Sequence, residues 1–170
     1  EAQAAGALEN ENIAAVTDFG ESEDGAPYIV MEFLVGEDLS KLLQREGALP
    51  VSRLLDVMRQ ACRGLRAAHE QGIVHRDLKP ENLFVVRRPD GDELIKLLDF
   101  GIAKLQRADS ASSTRTGAAM GTPYYMSREQ ARGQKDLDAR ADIYALGVIM
   151  YELLSGQKPY QGDGYNEILF

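Results

Sequence analysis

The chain is short of cysteine, of net positive charge and of long apolar runs, and each shortage closes off a class of protein. One cysteine in 170 residues, Cys62, excludes an internal disulfide framework and fits a reducing compartment. Its place on an apolar helical stripe predicts a buried spacer rather than a reactive thiol. The formal net charge of −8 argues against nucleic acid or an anionic membrane surface as the main partner, because both need clustered cations. The longest apolar stretch, Ile143 to Leu154, is interrupted by Glu152 and falls well short of the ~20 residues that span a bilayer. Residues Glu1 to Ala5 lack the basic start and apolar core of a secretory signal. No internal repeat is visible.

What is present is an ordinary globular composition, 44% hydrophobic and 27% charged, in a chain long enough for one domain with a real core. The Ala-rich stretch Glu1 to Leu8 reads as the end of a helix. Ile13 to Phe19 and Tyr28 to Phe33 read as strands joined by a turn through Glu21 to Gly25. Gly36 to Leu43 carries a short helical pattern. Pro50 opens a longer helix whose stripe is Leu54, Leu55, Met58, Ala61, Cys62, Leu65 and Ala68, and Gly72 ends it.

Leu83 to Val86 and Leu94 to Leu98 form a second strand pair around the turn Pro89-Asp90-Gly91, with φ fixed by the proline and freed by the glycine. That hairpin sets Asn82 and Asp99 on its two sides, where both can face one metal ion. Gln106 to Gly121, rich in Ser, Thr, Ala and Gly, reads as a mobile loop. Asp138 to Leu154 is a helix apolar on nearly every side, stopped at Gly156 and expected to be buried in the middle of its lobe. Strands dominate the first part and helices the second, an α+β order rather than repeating βαβ units.

Two ordered motifs stand out: His75-Arg76-Asp77-Leu78-Lys79-Pro80-Glu81-Asn82 and, after the hairpin, Asp99-Phe100-Gly101. Any one of these residues is well explained as a turn former, a cap or a structural histidine. In this order and spacing they resemble the catalytic and metal-binding loops of the eukaryotic-like (Hanks-type) serine/threonine protein kinases, in the look of their bacterial members. The resemblance runs over almost the whole chain. It implies a protein-kinase-like fold, incomplete here, with a partial N-lobe over 1–33, a hinge at 34–38 and a C-lobe over 39–170. Within the C-lobe it places a catalytic loop at 75–82, an activation segment at 99–129 and a central helix near 139–154.

The resemblance implies ATP and magnesium as cofactors, with manganese as the substitute ion, and transfer of the γ-phosphoryl group to protein Ser/Thr hydroxyls. Asp77 is then the proton acceptor, Lys79 the phosphate contact, and Asn82 and Asp99 the metal ligands. Nucleotide contacts fall to Glu1, Met31 as gatekeeper, the backbone at Glu32 and Leu34, Asp38 at the ribose, Glu81, and Phe84 under the adenine. On residue pattern alone, Tyr28 to Leu34 is equally a buried apolar strand. His75 and Phe100 look like members of a hydrophobic spine, a role that for His75 coincides with a core histidine. Asp142 resembles a buried anchor of the catalytic loop; as a first-turn acid it would also suit an exposed helix start.

Arg76 and Lys104 look like a basic pair facing a loop phosphorylated at Thr114 and Thr116, and Thr122 like the threonine that shapes the peptide site. A merely solvated Ser/Thr-rich loop is the plainer reading of Thr114 and Thr116. The implied partners are protein substrates and a second kinase molecule for autophosphorylation, with no nucleic acid. The location is cytoplasmic, with any membrane anchor lying outside this segment.

Three departures from the family pattern bear on activity. The glycine-rich loop and ATP-contacting lysine expected before Glu1 are not in the sequence. Arg128 stands where relatives carry proline, beside Glu129. The late helix whose arginine pairs with Glu129 is also not in the sequence. The expectation is a segment of a larger kinase whose 170 residues alone transfer phosphate poorly. A pseudokinase-like scaffold module is the alternative. A small-molecule kinase of the same fold is disfavoured by the peptide-site features around Gly121-Thr122-Pro123.

Overall fold

A computed structural model describes residues 8–100, 123–134, 136–160 and 162. The expected helix end at Glu1 to Leu8 and the expected loop at Gln106 to Gly121 lie almost wholly outside these residues. So do Glu1, Lys104, Thr114, Thr116 and Thr122.

Strand β1 (Val16–Glu21) pairs antiparallel with β2 (Pro27–Met31), Glu21 opposite Pro27. The turn is closed by the Ser22 N–H donating to Ala26 O, with Gly25 at φ 79. All of β2 is exposed, and Phe33 just beyond it is 92% exposed. The reading of Tyr28 to Leu34 as a buried apolar run is therefore corrected. A two-stranded ribbon buries little by itself, and among the described residues nothing covers its faces.

The expected short helix over Gly36 to Leu43 divides in two. Strand β3 (Gly36–Asp38) adds to the edge of a second sheet, and helix α1 (Leu39–Glu46) starts immediately after it. Asp38 caps α1, its carboxylate accepting from Lys41 N–H at 2.9 Å, as an N-cap aspartate should. Strands β4 (Leu83–Arg87) and β5 (Glu93–Leu97) complete an antiparallel sheet in the order β3-β4-β5.

Helix α2 (Val51–Glu70) lies against β5 and buries Leu54, Val57, Met58, Ala61, Gly64, Leu65 and Ala68. Leu55 and Cys62 are exposed, against expectation. The buried face is centred on Leu54, Val57, Ala61, Gly64 and Ala68. Leu55 and Cys62 therefore lie off to its flank, each one position past a buried residue and so about 100° around the helix.

Side chains on α2 also read the sheet's backbone. Gln60 Oε1 accepts from Ile95 N–H at 2.9 Å and its Nε2 donates to Glu93 O at 3.0 Å. Arg53 forks onto the Glu93 carboxylate at 2.7 and 2.9 Å. Residues Asn12 to Ala14 run parallel to β5 along its edge and close to α2, Leu97 N–H donating to Asn12 O and Ala14 N–H to Leu97 O, both at 2.9 Å. The approach to α2 is close enough that a Cβ on Gly64 would sit 2.8 Å from Asn12 O.

The short helix α3 (Arg128–Ala131) follows a 3-10 turn at Pro123–Tyr125, and α4 (Ala139–Ser155) ends at Gly156 in the left-handed region, φ 74. Helix α4 packs on α2 and on that turn through Ala141, Asp142, Ala145, Leu146, Val148, Ile149, Glu152 and Leu153. Its other side is exposed, with Ile143, Tyr144, Met150, Tyr151 and Leu154 open. Burial all round is thus not found among the described residues. No helix among them is long and apolar enough to cross a membrane.

Candidate active site

The loop after α2 is built around a left-handed residue. Arg76 has φ 65, a region that costs a non-glycine residue roughly 1–2 kcal/mol. It is held there from helix α4. Asp142, 1% exposed, accepts from His75 N–H at 2.8 Å and Arg76 N–H at 2.9 Å, and His69 Nε2 meets the same carboxylate at 2.7 Å. The anchoring role expected of Asp142 is found; the exposed helix-start alternative is not.

His75 is completely buried. Its Nε2 donates to Leu98 O at 2.8 Å and its Nδ1 accepts from Asp77 N–H at 3.3 Å, an arrangement that fixes one neutral tautomer. Burial pushes its pKa below the ordinary histidine value, outweighing the nearby charge of Asp142. The ring stacks obliquely on Phe100, centroids 4.8 Å apart, so the expected spine pair is in contact.

Downstream, Lys79 Nζ lies 3.5 Å from Asp77 Oδ2. Pro80–Asn82 forms a 3-10 turn with proline in its first turn, where no N–H is needed. Asn82 is buried, and its Nδ2 donates to Asp77 O at 2.8 Å. With the nitrogen so engaged, the amide oxygen is the end left for a hard cation. Asn82 O accepts from Leu98 N–H at 2.9 Å, extending the β4–β5 ladder past Leu83 opposite Leu97. Asn82 and Asp99 therefore sit at one end of that ladder. Asp99 is exposed at φ 51, a region aspartate tolerates better than most residues. An amide oxygen and a carboxylate are donors that suit magnesium.

Asp38 lies opposite Phe84 across β3–β4, and the Phe84 ring stands close to Gly36. Glu32 N–H donates to Ala15 O at 2.9 Å, while its carboxylate takes Ala15 N–H at 2.8 Å and Lys96 Nζ at 2.5 Å. Partial burial pushes the Glu32 carboxyl up, but the Lys96 and Ala15 hydrogen bonds outweigh it and hold it below the usual range. Met31 pairs with Val16 at the end of the ribbon. Leu34 lies in the connection to β3, and Glu81 is exposed on the 3-10 turn.

Around the 3-10 turn after Pro123, Glu129 is half-buried, so its carboxylate keeps part of its hydration. Arg128 begins α3 with its side chain in solvent, so losing a proline there asks little of the fold.

Three groups escaped sequence reasoning. His69 shares Asp142; Tyr125 Oη donates to Glu152 Oε2 at 2.6 Å in the interior; and Gln130 reaches Arg76. Burial and the Glu152 hydrogen bond push the Tyr125 phenol far up. Their partners are distant in sequence, and no local pattern marks them.

The protein kinase domain family matches residues 1–169. Serine/threonine-protein kinase pkn3 of Myxococcus xanthus is 47% identical over 165 residues, covering 96% of this chain and 30% of that protein. PknA of Corynebacterium glutamicum is 46% identical over 167 residues, covering 96% of this chain and 34% of its own length. PknB of Mycobacterium leprae is 43% identical over 166 residues, covering 96% and 26%. The chain thus spans about a third or less of the curated relatives named. Among solved structures, a mutant PknI kinase domain of Mycobacterium tuberculosis superimposes with a TM-score of 0.74 at 28% identity, covering 94% of this chain and 56% of that one. Sequence motifs, loop geometry and fold agree: the chain belongs to the protein kinase family, in the Hanks-type serine/threonine group whose bacterial members it resembles.

Proposed function

We propose that this chain forms the catalytic-loop portion of an ATP-dependent protein serine/threonine kinase. The observation that carries the reading is the Asp77–Lys79 pair, 3.5 Å apart on a loop fastened by Asp142, with Asn82 and Asp99 at the adjoining end of the β4–β5 ladder. Asp77 orients the acceptor hydroxyl and takes its proton, and Lys79 lies against the transferring phosphoryl oxygens. Asn82 and Asp99 hold magnesium, or manganese in its place, which when bound neutralises charge on the nucleotide's phosphates. A scaffold-only relative would have no reason to keep these four residues together.

For the nucleotide, we read residues 1–33 as a partial N-lobe, 34–38 as the hinge and 39–170 as the C-lobe. Since Glu32 N–H is engaged by Ala15 O, its carbonyl and the backbone of Leu34 are the groups for the adenine edge. Met31 limits the pocket behind, Phe84 lies beneath, Asp38 turns a carboxylate oxygen to the ribose, and Glu81 and Glu1 border the phosphates. Arg76 and Lys104 are read as receiving a loop phosphorylated at both Thr114 and Thr116, and Thr122 as the threonine that shapes the peptide site near Asp77 and Lys79.

The test is magnesium-dependent transfer of the γ-phosphoryl group from ATP to a serine/threonine acceptor protein, measured on the full-length protein. Asp77→Asn is expected to lower the rate by at least ~10²-fold, the usual contribution of a positioned general base. Transfer that persists undiminished in Asp77→Asn would remove the reading.

A further inference from the structure

We propose that Gln130 is a positioning residue of this phosphoryl-transfer site, acting through the carbonyl of Arg76; the inference rests on the kinase reading above. Arg76 sits in the left-handed region at φ 65, between the buried His75 and Asp77. Backbone in that region is kept only where its surroundings over-determine it. On its N-terminal side the peptide is fixed by Asp142, which accepts the Arg76 N–H at 2.9 Å.

On its C-terminal side the Arg76 carbonyl accepts from Gln130 Nε2 at 2.7 Å, across 54 residues of sequence. That carbonyl shares one peptide plane with the N–H of Asp77, which donates to His75 Nδ1 at 3.3 Å. The plane leading into Asp77 is therefore gripped at both edges, by Gln130 on its oxygen and by His75 on its N–H. Turning it swings the Cα–Cβ bond of Asp77, and with it the carboxylate that must meet the acceptor hydroxyl.

Gln130 is itself fastened at its other end. Its Oε1 accepts from Ser127 N–H at 3.1 Å, at the start of α3. One amide thus needs to donate to Arg76 and accept from Ser127 at once, which glutamine does and neither a carboxylate nor an ammonium can. Gln130 also lines, with Arg76, Asp77, Lys79 and Asp142, a small cleft beside the catalytic loop. The consequence is a mechanical link. The segment from Pro123 to Ala131 and the orientation of the base are coupled through one side chain.

Two variants with opposite chemistry separate this role from helix capping. Gln130→Glu keeps the acceptor for Ser127 and suits a helix start, but sets a carboxylate against the Arg76 carbonyl. Gln130→Lys keeps a donor for Arg76 and loses the cap. In full-length protein, Gln130→Glu is expected to lower kcat by about tenfold or more, in the range of small misplacements at a reacting centre. KM for ATP and the thermal midpoint should stay near those of the parent. Gln130→Lys is expected to melt earlier yet keep the larger share of kcat. Equal kcat in the two variants, or a higher kcat in Gln130→Glu, overturns the inference. Asp77→Asn, assayed alongside, distinguishes the cases: a silent Gln130→Glu beside a dead Asp77→Asn removes only the positioning role, whereas an active Asp77→Asn removes the kinase reading itself.

Discussion

Asp142→Asn should unfasten the catalytic loop without emptying any space. The carboxylate serves three donors: Oδ2 takes His75 N–H at 2.8 Å and meets His69 Nε2 at 2.7 Å, while Oδ1 takes Arg76 N–H at 2.9 Å. An amide offers one oxygen. Placed at the Oδ2 position it keeps two donors and turns its NH2 toward Arg76 N–H; placed the other way it confronts two donors at once. The first arrangement wins, and Arg76 is the residue released.

Losing a hydrogen bond to an ionised acceptor costs about 1.5–3 kcal/mol. The two that remain weaken, because neutral acceptors bind roughly half as strongly. Relaxing Arg76 from φ 65 returns about 1–2 kcal/mol. The net destabilisation is about 2–4 kcal/mol, or about 4–16 °C in the thermal midpoint for a domain of this size. Because the strained residue immediately precedes Asp77, kcat should fall further than stability requires, by about 10²-fold at temperatures where the variant is fully folded. Urea denaturation and steady-state phosphoryl transfer on the full-length protein measure both. A variant within about 0.5 kcal/mol of the parent with undiminished kcat would refute the anchoring argument.

Two further outcomes follow from packing and ionisation. Gly64→Ala improves helix propensity by about 1 kcal/mol, but its Cβ would stand 2.7 Å from Leu97 Cδ1 and 2.8 Å from Asn12 O. Overpacking of this kind costs about 1–3 kcal/mol, so equilibrium unfolding should show net loss, and a stabilised variant would contradict the close approach. Buried His75 stays neutral in the folded protein but takes up a proton below about pH 6.5 when unfolded. The unfolded state then binds more protons, so stability falls as pH drops below 6.5, with a slope approaching about 1.4 kcal/mol per pH unit until the folded ring also titrates. His75→Phe should flatten that slope between pH 6.5 and 5.5 relative to the parent. An unchanged slope would assign the acid sensitivity to other groups.

The sequence by itself determined the family and most of the local elements. The run from His75 to Asn82, the hairpin around Pro89-Asp90-Gly91, the helix opened by Pro50 and the stop at Gly156 are written in residue type and short spacing, where caps, turns and periodicity act. It even located Asp142, because a whole motif could be set against a family pattern. Boundaries were less legible: Gly36 to Leu43 holds both a strand and a helix, because Asp38 serves as an edge residue and as a cap in the same few ångströms.

What only the tertiary structure decided is which faces meet and which distant side chains share a backbone group. Helix α2 turns Gly64, rather than Cys62, toward the sheet, since Asn12 to Ala14 must pass within contact of it. Gln130 and His69 look like ordinary polar residues on short-range evidence. They join the site only because α3 and α4 close over a loop whose strained residue needs its N–H and its carbonyl held from outside.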